Sequence, residues 1–286
     1  MRIGGRIWVL APGAGAALLM LICTGIPVAG QDQQGYKAPR LRGSEHPDLN
    51  GIYQAFTTAN WDILTHSAEA GPVPSLGAWF ARPGGQGIVE GNEIPYQPSA
   101  LKTKQQNFAD RLKVDSYKNR GMGDSELKCF MPGVPRATYM PYPFQILQGS
   151  SKFIVVAYEF ANASRVIHME KLPPSGVASW MGESHGRWEG DTLVVEVSGF
   201  NDTTWFDRAG NFHSEDMKVV ERYTPMSPYH MMYEATIEDP KVFTRPWKIR
   251  LPLYRRIEPG ARLMEFNCVE FTNELMYGRF KAQPTK

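Results

Sequence analysis

The stretch Met217-Lys-Val-Val-Glu-Arg-Tyr-Thr-Pro-Met-Ser-Pro-Tyr-His-Met-Met-Tyr-Glu-Ala-Thr-Ile-Glu238 decides the fold class. Two runs rich in β-branched and aromatic residues, Met217 to Thr224 and Tyr229 to Glu238, flank Pro225-Met-Ser-Pro228, which reads as a turn because proline cannot donate to a ladder. The pair is a β-hairpin. The same period of two continues outward. Upstream, Leu193, Val195 and Val197 alternate with Thr192, Val194, Glu196 and Ser198 behind the tight-turn signal Glu189-Gly190-Asp191. Further upstream, Phe153, Val155 and Ala157 alternate with Ile154, Val156 and Tyr158, a run apolar on both faces. Asn162-Ala-Ser164 reads as a turn into Arg165 to Glu170, and Pro173-Pro-Ser-Gly176 as another turn. Downstream, Trp247, Ile249 and Leu251 alternate with Lys248 and Arg250, and Pro252 marks an edge or bulge. Met264, Phe266 and Cys268 alternate with Glu265 and Asn267, and Thr272 to Phe280 reads as a short closing helix. About eight strands with short connections predict a mainly β protein, an up-and-down barrel or a sandwich, and the sequential hairpins favour an antiparallel up-and-down barrel over residues 144–286. A barrel of that size just holds one small ligand.

Residues 31–143 have a different texture, irregular and rich in Pro and Gly. Gln31 to Ser44 reads as a polar lead-in, and Pro47 to Tyr53 as a turn followed by a short strand. Thr57 to Ala70 is expected to be helical, with Trp61, Leu64 and Ala68 on one side. The run Gly84-Gly85-Gln86-Gly87 lacks the Lys-Ser/Thr and helix start of a phosphate loop, so it reads as turn chemistry. Ala100 to Leu112 is the clearest helix, with Leu101, Phe108 and Leu112 on one side. Ser116 to Ser125 is polar and expected to be exposed. Cys129 to Pro143, dense in Pro, Tyr and Met, is expected to drape over the barrel, as is 71–99. Arg136, a lone cation there, suits a backbone-capping or snorkelling role before that of an anion ligand.

The first thirty residues have the layout of a secretory signal peptide: Arg2 and Arg6, an apolar run from Ile7 to Ile26, and the small-residue exit Val28-Ala29-Gly30. Cleavage after Gly30 is expected to leave a periplasmic or secreted protein beginning at Gln31 with no stable membrane insertion. Retention as an anchor is the alternative, and Leu21 and Ile22 before Cys23 make a poor lipidation site. The chain has 31 basic and 29 acidic residues. Loss of Arg2 and Arg6 brings the two into balance, which argues against nucleic acid as a partner. Cys129 and Cys268 remain. In an oxidising compartment an even pair is a disulfide candidate, and two separate buried thiols are the alternative. There is no Cys/His cluster of zinc spacing, and neither a metal nor a cofactor is expected.

The polar loop Asn201 to Asp216 interrupts the ladder and is the candidate site, since long loops between rigid strands carry function. It is expected at one rim of the barrel with Trp205, Asp207 and His213 at the mouth. Asp207 is placed to orient His213 as a base near neutrality. The alternative is an Asx-type loop in which Asp202, Asp207 and Asn211 satisfy backbone N–H groups. The hard oxygens of Asn201, Asp202, Asp207, Asn211, Glu215 and Asp216 lack EF-hand spacing. Arg222 and Glu234, on adjacent strands, are either an outward ion pair or a polar pair inside the barrel. Trp205, Asp202, Arg222, Glu234 and Trp247 are thus the candidate ligand-binding residues, and His213 with Asp207 the candidate catalytic pair. No Gly-x-Ser-x-Gly elbow is present.

The chain resembles a large family of uncharacterised secreted bacterial proteins. The likeness rests on Gly186-Arg-Trp-Glu-Gly-Asp-Thr-Leu-Val-Val195, Phe200-Asn-Asp-Thr-Thr-Trp205, Gly210-Asn-Phe-His-Ser214, Val219-Val-Glu-Arg-Tyr-Thr224 and Glu234-Ala-Thr-Ile-Glu-Asp-Pro240, with Pro246-Trp247 and the Cys129-centred segment. It implies a lipocalin-like (calycin-type) barrel. Three functions fit these residues. The first is a barrel that binds a small apolar or aromatic molecule. The second is a cofactor-free hydrolase- or lyase-type enzyme using His213 and Asp207. The third is a structural envelope protein that docks a partner.

Overall fold

The computed structural model describes residues 36–111, 123–272, 275 and 276. The expected signal peptide at 1–30, most of the polar stretch at 116–125 and most of the closing helix at 272–280 lie outside the described residues. Nine strands form one closed barrel in sequence order. They are β1 (Gly51–Gln54), β2 (Phe144–Leu147), β3 (Phe153–Tyr158), β4 (Ser164–His168), β5 (Glu183–Glu189), β6 (Thr192–Ser198), β7 (Lys218–Pro225), β8 (His230–Glu238) and β9 (Trp247–Arg255). Among the described residues the helices α1 (Pro98–Asp110) and α2 (Arg136–Tyr139) accompany them. Among the described residues no helix is long and apolar enough to cross a membrane.

The hairpin that opened the sequence reading forms, with Tyr223 opposite Tyr233 and Arg222 opposite Glu234. Two features of the sheet depart from a simple up-and-down meander. First, β4 and β5 run parallel, paired only as Ile167↔Ser184 and His168↔His185. Pro173-Pro-Ser-Gly176 is therefore not a hairpin turn. It lies in the crossover 169–182, and parallel neighbours need a connection of about a dozen residues or more. Second, the barrel does not begin at 144. The short strand read at Ile52-Tyr53 pairs with both β2 and β9 and closes the cylinder, because an unclosed β2 and β9 would each present an unpaired edge.

Other expectations are corrected. Residues 57–70 are not helical: the Thr57 hydroxyl, Asp62 and Asp207 accept from Ala59, Leu64 and Ile63 N–H, so side chains replace the helical acceptors. His66 and Glu69 bridge instead to Gly85 and Arg82. Met264 to Cys268 forms no strand. That stretch is tied by the Cys129–Cys268 bond, with Cα atoms 5.8 Å apart, and by Phe266 packed on Tyr142 and Phe160. Asp124 and Ser125, expected to be exposed, are buried.

Strand alternation fills the barrel. Ile154, Val156 and Tyr158 of β3, Val219 and Tyr223 of β7, Met231, Tyr233 and Ile237 of β8 and Ile249, Leu251 and Leu253 of β9 belong to one core. In its midst Arg165 of β4 reaches Glu221 of β7 through two hydrogen bonds of 2.6 and 3.1 Å, and Tyr223 at 2.8 Å. The Tyr223 and Tyr233 hydroxyls donate to the same Glu221 carboxylate at 3.0 and 2.7 Å. Burial lowers the Arg165 pKa on its own, but Glu221 and the tyrosines outweigh this, so the guanidinium stays charged. Both tyrosines are pushed well above their ordinary value by burial and by Glu221.

Candidate functional site

The loop between β6 and β7 is folded inward. Trp205 bridges Phe212, and Trp205, Asp207 and His213 are all buried, so none of them lies at an open mouth. The expected dyad does not form. His213 Nδ1 donates to the Ser214 carbonyl at 2.9 Å, and Nε2 is left to accept from the Thr204 hydroxyl at 2.6 Å. Phe200 and Phe206 meet the imidazole edge-on. Burial lowers its pKa from 6.5, so the ring is held neutral. Asp207 faces other groups: the N–H of Ile63, Ala209 and Asn211 and the Asn211 amide, at 2.6–3.2 Å. Burial and Asp62 push its carboxyl up to about 7 against the pull of those donors. Asp207 thus plays the part that the Asx-type alternative gives it, accepting from backbone N–H groups, whereas Asp202 is exposed and Asn211 Oδ1 accepts from the Tyr96 hydroxyl.

The remaining candidates scatter. Asp202 is exposed. Arg222 pairs with Glu189 at 2.8 Å and Glu234 with Arg250 at 3.7 Å, both on the outer surface, so neither lines the barrel interior. The charge that points inward is Glu221, one residue away. Trp247 is buried against Phe206 and Phe243, and its Nε1 has no acceptor among the described residues. Arg136 is no surface snorkeller. Its side chain is 1% exposed and holds Asp124 at 2.5 and 3.0 Å, Glu126 at 2.6 Å and the Trp205 carbonyl at 3.1 Å. Arg208 completes this network on Glu126 at 2.7 Å. Burial alone would raise the Glu126 carboxyl; Arg208 and Arg136 outweigh it and hold it below its ordinary range. This ionic network pins the loop to the irregular segments outside the barrel.

An open concavity lies on the barrel wall, at the parallel seam. A groove of about 600 Å³ runs along β4 and β5. Its walls include Met131, Val166, Leu172, Trp180 and Met181, and Arg165 and Ser184 form part of its lining. Val166, Leu172 and Met131 are each at least 40% exposed, an apolar surface left uncovered. Arg165 and Ser184 are buried. Because the two strands pair for only two residues, inward-facing side chains of the barrel take part in an outer groove there. Arg165 Nη1 lies 3.4 Å from Ser184 Oγ, and Arg165 Nε has no acceptor among the described residues.

Local backbone shapes this groove. Gly182 has φ +66°, and a Cβ there would meet Phe200 and the Ser198 carbonyl at 2.8 Å, so glycine admits the turn into β5. The far wall depends on the disulfide: Cys129 precedes Phe130, whose ring meets Trp180 edge-on at 5.5 Å, and Met131 follows. Arg165 and Ser184 were absent from the sequence candidates. Alternation puts Arg165 on the same face as Ile167, a cation on an inward face, and that was the available signal. Comparison with family models, with curated proteins and with solved structures gave no match.

Proposed function

We propose that the protein binds a small apolar or aromatic molecule in the groove on the β4–β5 seam. The observation that carries this reading is the groove's make-up: apolar walls, few polar groups, and a volume of about 600 Å³, within the usual range for small-molecule sites. Among the described residues the barrel interior is taken up by Tyr158, Tyr223, Tyr233, Arg165 and Glu221. A periplasmic or secreted setting is part of the proposal and is supported by the Cys129–Cys268 bond, which persists in oxidising compartments.

Fluorescence titration with the neutral probe N-phenyl-1-naphthylamine tests it. Saturable binding with quenching of tryptophan emission is expected, from Trp180. Val166→Glu and Leu172→Glu place charges on exposed groove positions and are expected to weaken the probe about tenfold or more with the melting temperature unchanged. Equal affinity in both variants would remove the groove from consideration.

A further inference from the structure

A second concavity shares no lining residue with the groove. It is a partly open cleft of about 270 Å³ where Arg208 and Ala209 of the 201–216 loop meet the 61–82 segment and the end of α1. Trp61, Phe80 and Phe108 supply aromatic surface, and Arg82, Arg111 and Arg208 supply guanidinium groups. Two of these cations lie over rings: Arg208 Cζ sits 4.0 Å from the Trp61 centroid and Arg111 Cζ 3.8 Å from that of Phe108. Arg208 spends its Nε and Nη2 donors on Glu126, whereas Arg111 donates from Nη1 to the Phe108 carbonyl, which among the described residues leaves its Nε–Nη2 edge for an acceptor.

The charges around the cleft are unequally matched. Arg82 faces both Asp62 and Glu69, Arg208 faces Glu126, and Arg136 takes Asp124. For Arg111 the hydrogen bond among the described residues goes to a neutral acceptor, the Phe108 carbonyl at 2.5 Å. Its neighbourhood is costly for a cation: half-burial and the nearby Arg82 lower its pKa, and Glu69 compensates only in part. A group that brings a negative charge to Arg111 and a flat ring to Trp61 and Phe80 answers both features at once.

We propose that this cleft is a second binding site, for a small aromatic carboxylate, with Arg111 taking the carboxylate and the Trp61, Phe80 and Phe108 rings taking the aromatic body. Guanidinium and carboxylate match edge to edge through two parallel N–H···O bonds, which sets the orientation of the ring. The cleft volume admits a one- or two-ring compound and lies at the lower end of small-molecule sites. The site is independent of the groove and stands if the groove reading fails.

Calorimetric titration of the full protein with 2-naphthoate is the test, with 2-naphthylmethanol as the neutral ring and cyclohexanecarboxylate as the charge without a flat ring. The expected result is saturable binding of 2-naphthoate, weakened by added salt, with both comparators about tenfold weaker or more. Arg111→Gln should lose the naphthoate preference while keeping the melting temperature, and Leu172→Glu should bind naphthoate as the wild type does. Absence of saturable naphthoate binding, equal binding of the neutral alcohol, or an unaffected Arg111→Gln variant would overturn the proposal. Loss of naphthoate binding in Leu172→Glu would move the ligand to the groove and overturn it equally.

Discussion

Two buried arginine–carboxylate networks hold this molecule, and they are built from opposite kinds of backbone. Inside the barrel, Arg165 and Glu221 stand on regular strands β4 and β7, and Tyr223 and Tyr233 close around them. Outside it, Arg136 gathers Asp124 and Glu126 from one irregular segment, the Asn60 carbonyl from a second and the Trp205 carbonyl from the 201–216 loop, and Arg208 of that loop reaches Glu126 as well. In the first, the strands already fix each Cα, and the ion pair serves to satisfy groups that the alternation turns inward. In the second, the ion pairs themselves bring the segments together. A buried pair is weak support for net stability, but breaking one by removing a partner is costly, because the other charge stays buried.

That contrast can be broken by mutation, and the largest effects are expected from removing either buried arginine. Arg136→Ala leaves Asp124 and Glu126 buried side by side and should cost about 3–5 kcal/mol in urea unfolding. In the barrel, Arg165→Ala alone should be similarly damaging, whereas Arg165→Met combined with Glu221→Leu should recover most of the loss, because no lone charge remains. If the double variant is no more stable than the single one, the strands do not hold the interior as described. Next in size is the disulfide. Cys129→Ser with Cys268→Ser opens a loop of sequence separation 139 and should cost about 2–4 kcal/mol. Since the bond supports the Phe130 and Met131 wall, probe affinity in the groove should fall with it.

Smaller effects come from the two titrating groups of the loop, and they have opposite signs. His213 is depressed from 6.5 by burial, so the unfolded chain takes up a proton that the folded one refuses. Its contribution to stability is complete above about pH 6.5 and is lost as the pH falls below it. Asp207 is raised from 3.8 to about 7. Its contribution is present in acid and is lost as the pH rises from about 4 to 7. Unfolding free energies of wild type and Asp207→Asn across that range should show the second slope removed in the variant; identical slopes would mean that Asp207 is ionised throughout. Glu234→Gln, on the outer surface of β8, should leave the melting temperature where it was.

The barrel was legible in the sequence wherever alternation was clean, as in β6, β8 and β9, and in the continuous apolar run of β3. It was ambiguous on β7, where Val219-Val220 and Glu221-Arg222 each offer one residue of a kind to each face. The pair Tyr223 and Tyr233, opposite one another and both buried, settles the register. The parallel β4–β5 seam had no local signal, because a turn sequence such as Pro173-Pro-Ser-Gly176 is the same in a hairpin and in a crossover. Closure by β1 is likewise non-local. Around Arg136 the sequence showed a lone cation among apolar residues, and its partners arrive from positions 60, 124, 126 and 205 without periodicity. The loop drew attention for its composition, but His213 spends its hydrogen-bonding capacity on the loop itself, and Asp207 spends its own on the loop and on the Ile63 N–H.

The central claim is that ligand binds on the barrel wall and not within the barrel. A crystal structure of the complex with N-phenyl-1-naphthylamine tests it most directly. The probe is expected against Trp180, Met181 and Leu172, beside Arg165 and Ser184. A probe lodged among Tyr158, Tyr223 and Tyr233, with the Arg165–Glu221 pair displaced, would contradict it.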